Sequence, residues 1–95
     1  MAASIDITYY WRQRQSSIDW FNRNGRQDVE YTISCLPGYT HTPCIVVAVW
    51  LLEECGPTPQ LINKIKKLID FYGYTEILGV NENFPEELKL YLRKN

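Results

Sequence analysis

Apolar and polar positions alternate clearly at two places in the first third of the chain. Ile5, Ile7, Tyr9 and Trp11 alternate with Asp6, Thr8 and Tyr10, and Val29, Tyr31, Ile33 and Cys35 alternate with Glu30, Thr32 and Ser34. A period of two puts every second side chain on the same face, so both runs predict half-buried strands. Between them, Ser16 opens a Ser-x-x-Asp box and Ile18 and Phe21 follow at helical spacing, with Gly25 placed as a C′ glycine. A short helix over 17–24 is expected there. Leu36-Pro37-Gly38-Tyr39 carries Pro and Gly at the central positions of a type II turn.

The segment Cys44 to Leu52 has no polar residue at all. Its β-branched content (Ile45, Val46, Val47, Val49) predicts a buried strand. Its flanks point the other way: Thr42 and Pro43 suit a helix start, and Gly56 and Pro57 suit a helix end. The strand is the leading expectation, because a helix apolar all round needs burial on every side and a small domain has little to bury it with.

Further on the pattern is plain. Leu61, Ile62, Ile65, Leu68, Ile69 and Tyr72 form one helical stripe that starts at Thr58-Pro59 and ends at Gly73. Tyr74 to Val80 reads as a strand. Asn83-Phe84-Pro85 starts a last helix, with Glu86 and Glu87 in its first turn and Arg93 and Lys94 in its last, matching the helix dipole. The order β-α-β-β-α-β-α predicts an α+β fold, a ferredoxin-like βαββαβ sandwich with an additional C-terminal helix. If residues 43–55 are helical instead, the order becomes βαβααβα and that topology fails.

The chain has 95 residues, which fits residues 1–95 as one small α/β domain. Hydrophobic residues make up 45% and charged residues 22%, which argues against disorder. The net charge of −1 gives no strong general attraction to nucleic acid. Locally the start is mildly basic, with Arg12, Arg14, Arg23 and Arg26, and the middle is acidic. Three cysteines cannot all pair with one another, and no leader pattern is evident, so free thiols in a cytoplasmic setting are expected. The longest apolar run is about half a membrane span, so no membrane crossing is expected.

Candidate chemistry is sparse. Cys35, His41, Cys44 and Cys55 could supply three thiolates and an imidazole, but the spacing lacks a paired Cys-x2-Cys knuckle. No metal or cofactor is expected. A small Cys/His-dependent enzyme would use His41 with Cys35 or Cys44, and no orienting third group is evident. Glu53-Glu54 and Glu86-Glu87 are adjacent carboxylates at element ends, where no acid-base role is needed. The aromatic and arginine-rich stretch Tyr9-Tyr10-Trp11-Arg12-Gln13-Arg14 carries more information. It could bind single-stranded nucleic acid by stacking and phosphate contacts, but its residue types are equally those enriched at protein–protein hot spots.

The leading functional expectation is therefore a non-enzymatic protein–protein interaction module: a small regulator, adaptor or inhibitor. Tyr10, Arg12, Arg14 and Trp20 are the expected contact residues, while Tyr9 and Trp11 fill the core. A third strand apolar on both faces needs cover, so Val46 and Trp50 are expected to mediate self-association into a homodimer.

Overall fold

The structure is a computed structural model and describes residues 3–24 and 43–94. Strand β1 (Ala3–Asp6) leads into two 3-10 turns over Ile7–Gln13, then helix α1 (Arg14–Asn24). Helices α2 (Cys44–Cys55) and α3 (Pro59–Tyr72) follow, then strand β2 (Tyr74–Leu78) and helix α4 (Glu86–Lys94). Helix occupies 71% and strand 12% of the described residues, which overturns the ferredoxin-like sandwich. The strands agree with this: β1 and β2 pair in parallel, from Ala3 opposite Tyr74 to Asp6 opposite Leu78, with a bulge between Ala3 and Ser4. In a split βαββαβ sheet neighbouring strands run antiparallel. The expected strand Val29 to Cys35 and the turn at 36–39 lie outside the described residues.

Cys44 to Leu52 is the main correction. It is helical, and Ile45 to Leu52 are eight consecutive residues each no more than 3% exposed. Tertiary burial overrides the β preference of its branched side chains. The cover comes from α1 and α3, which pack against α2 within one shared core. The helix starts and stops near the flanking signals, but with Pro43 rather than Thr42 as the N-cap residue and no side-chain cap bond. Pro43, at φ −58° and ψ 144°, stands in the N-cap position, and its carbonyl accepts from the Val46 N–H at 3.0 Å. Gly56, at φ 93°, donates its N–H to the Leu52 carbonyl at 2.9 Å. With a helix here, Cys44 to Leu52 is not a strand whose two faces need a partner. The chain itself buries Val46 and Trp50 completely, so the reason for a homodimer through them disappears.

α3 is built as its sequence predicts. The Thr58 hydroxyl accepts from the Leu61 N–H at 3.2 Å, a cap that stabilises a helix by about 1 kcal/mol. Leu61, Ile65 and Ile69 are buried along the inner stripe, and Gly73 closes the helix in the left-handed region at φ 71°. α4 buries Leu88 and Leu92 and is tied to α3 by Lys66 with Glu87 at 2.5 Å and by the Tyr91 hydroxyl donating to Asp70 at 2.5 Å.

The N-terminal alternation stops earlier than expected. The Asp6 carboxylate accepts from the Thr8 N–H at 3.0 Å and from its hydroxyl at 2.6 Å. That local turn outcompetes continued strand pairing, and the backbone enters the 3-10 turns with a kink at Tyr10. Gly79 fits against the same turn. It has φ +85°, and a Cβ there would lie 2.7 Å from Thr8 Cγ2. No helix among the described residues is long and apolar enough to cross a membrane.

Candidate interaction surface

The early end of β1 decides which aromatics face outward. Had the strand continued, Tyr9 and Trp11 would have followed Ile5 and Ile7 into the core. Ile7 is buried, but Tyr9 is 83% and Trp11 60% exposed. Tyr10 turns inward instead and packs half-buried on the core. Its ring meets Tyr9 edge-on at 5.0 Å.

A second aromatic group lies where α3 passes into β2. Phe71 is 79% and Tyr72 52% exposed. Their rings are edge-on at 4.8 Å, and Tyr72 continues to Tyr74 at 5.7 Å. The elements that carry them, β2 and the 3-10 segment, are in contact. The pKa of Tyr74 is raised, first by burial and then by the phenols of Tyr72 and Tyr10. Phe71, Tyr72 and Tyr74 form one run of rings from the end of α3 into β2, and Tyr9 and Tyr10 form a pair in the 3-10 turns. Singly scattered apolar residues on a surface need no explanation, whereas grouped exposed rings such as Phe71 with Tyr72 are candidates for a contact surface.

The predicted contact residues are distributed as follows. Arg12 is exposed beside Trp11. Arg14 is held from two sides: its guanidinium lies 5.2 Å from the Trp11 ring centroid and 3.3 Å from the Glu54 carboxylate. Much of its charge is therefore already answered within the chain. Trp20 is half-buried on α1. Sequence reasoning missed Phe71 and Tyr72. The signal available was that Phe71 falls outside the apolar stripe of α3, and that Tyr72 stands at the stripe's last position, next to the terminating glycine.

The other constellations resolve into structural roles. Cys44 and Cys55 stand at opposite ends of α2, which at 1.5 Å rise per residue separates them by about 16 Å. Metal–sulfur bonds are about 2.3 Å, so the four-residue ligand set cannot close on one ion. Cys35 and His41 lie outside the described residues. Glu53 accepts the Asn81 N–H at 3.0 Å, Glu54 holds Arg14, and Glu87 holds Lys66. Glu86 sits 3.9 Å from Lys89. Among the described residues no group of three or more His, Cys, Asp or Glu side chains is placed to hold a metal ion.

No protein-family model, no curated protein and no solved structure matches this chain.

Proposed function

We propose that the protein is a non-enzymatic interaction module, a small regulator, adaptor or inhibitor of a reducing compartment such as the cytoplasm, which binds another protein through its aromatic surface. The observation that supports this reading most is the exposure of Tyr9, Trp11, Phe71 and Tyr72, each more than half open to solvent. Aliphatic side chains make up most of the core, so these rings do no packing work there. Tyr and Trp offer large contact area at low entropic cost, and Arg12 adds a cation at the rim. Tyr9 and Trp11 replace Tyr10 as the expected anchors.

A photo-crosslinking residue in place of Trp11 or Phe71, expressed in the native host, tests the reading. One discrete protein adduct at both positions is expected, with none from the same probe at exposed Gln60. Absence of an adduct at both aromatic positions would sink the proposal. So would salt-sensitive binding of a labelled single-stranded oligonucleotide that is lost on Arg12→Ala, since that is the behaviour of a nucleic-acid site.

A further inference from the structure

We draw no further inference here: the strongest candidate, the groove of about 490 Å³ between β2 and α4 with Ile77, Phe84 and Leu92 in its lining, carries nothing because those three side chains are already buried in the core and nothing in the structure shows what covers it.

Discussion

The sharpest consequences at the residue scale concern polar atoms and glycine. Trp50 is wholly buried on α2, and its indole N–H has no partner among the described residues; the hydroxyl of buried Ser17 on α1 has none there either. A buried donor left unpaired costs about 1–3 kcal/mol, and removing it with little loss of shape recovers much of that. Trp50→Ala should therefore destabilise by about 3–5 kcal/mol, while Trp50→Phe should cost far less. Ser17→Ala should leave stability unchanged or raise it. Urea midpoints at constant slope check all three, and a large loss for Ser17→Ala would mean that its hydroxyl is satisfied after all. Gly79 combines a positive φ with a gap too small for a Cβ. Gly79→Ala should cost on the order of 2 kcal/mol or more, combining the backbone penalty with displacement of Thr8. Thermal unfolding would show it, and a neutral result would mean that the Asp6 to Thr8 turn yields freely.

At the scale of elements, the sequence was readable where two signals agreed. α3 had a stripe, a cap and a terminating glycine; β2 and α4 had turn residues and charges in the right turns. α2 had two signals in conflict. Branched side chains said strand, while Pro43 and Gly56 said helix, and burial by neighbouring helices decided the matter. No local pattern contains that information. The end of β1 was hidden for a related reason: the two Asp6–Thr8 hydrogen bonds exchange the inward and outward positions of three aromatic residues, Tyr9, Tyr10 and Trp11. The sequence therefore pointed to the stretch 9–14 but placed Tyr9 and Trp11 inside, where the structure exposes them. The α3–α4 tether yields a pH prediction. The Tyr91 pKa is raised by its hydrogen bond to Asp70, with burial and the Asp70 charge adding to it. Its phenol is protonated more readily folded than unfolded, so the contribution is complete below the model-peptide value of 10.0 and is lost as pH rises through the folded value. Stability should fall with alkaline pH above that point, and Tyr91→Phe should flatten the dependence. A profile of unchanged slope in the variant would assign the loss to other groups.

For the whole molecule, contact and stability should separate. Tyr9 and Trp11 lie outside the core, so Tyr9→Ala with Trp11→Ala should shift unfolding free energy by only about 0.5 kcal/mol while removing the crosslinked adduct. A loss of several kcal/mol would make these rings part of the packing and would undercut the proposed surface. The near-neutral net charge fits the same picture, since attraction here depends on local arrangement rather than on a general field.

The parallel pairing of Ala3–Asp6 with Tyr74–Leu78 also sets an order of events during synthesis. The helices are local and can form as soon as their residues emerge, but the sheet joins strands far apart in sequence. At ordinary translation rates, β1 waits on the order of 4–14 s before its partner strand has been made. Through that interval β1 is without the partner that Tyr74–Leu78 supplies, so this sheet closes only after α1, α2 and α3 have been made.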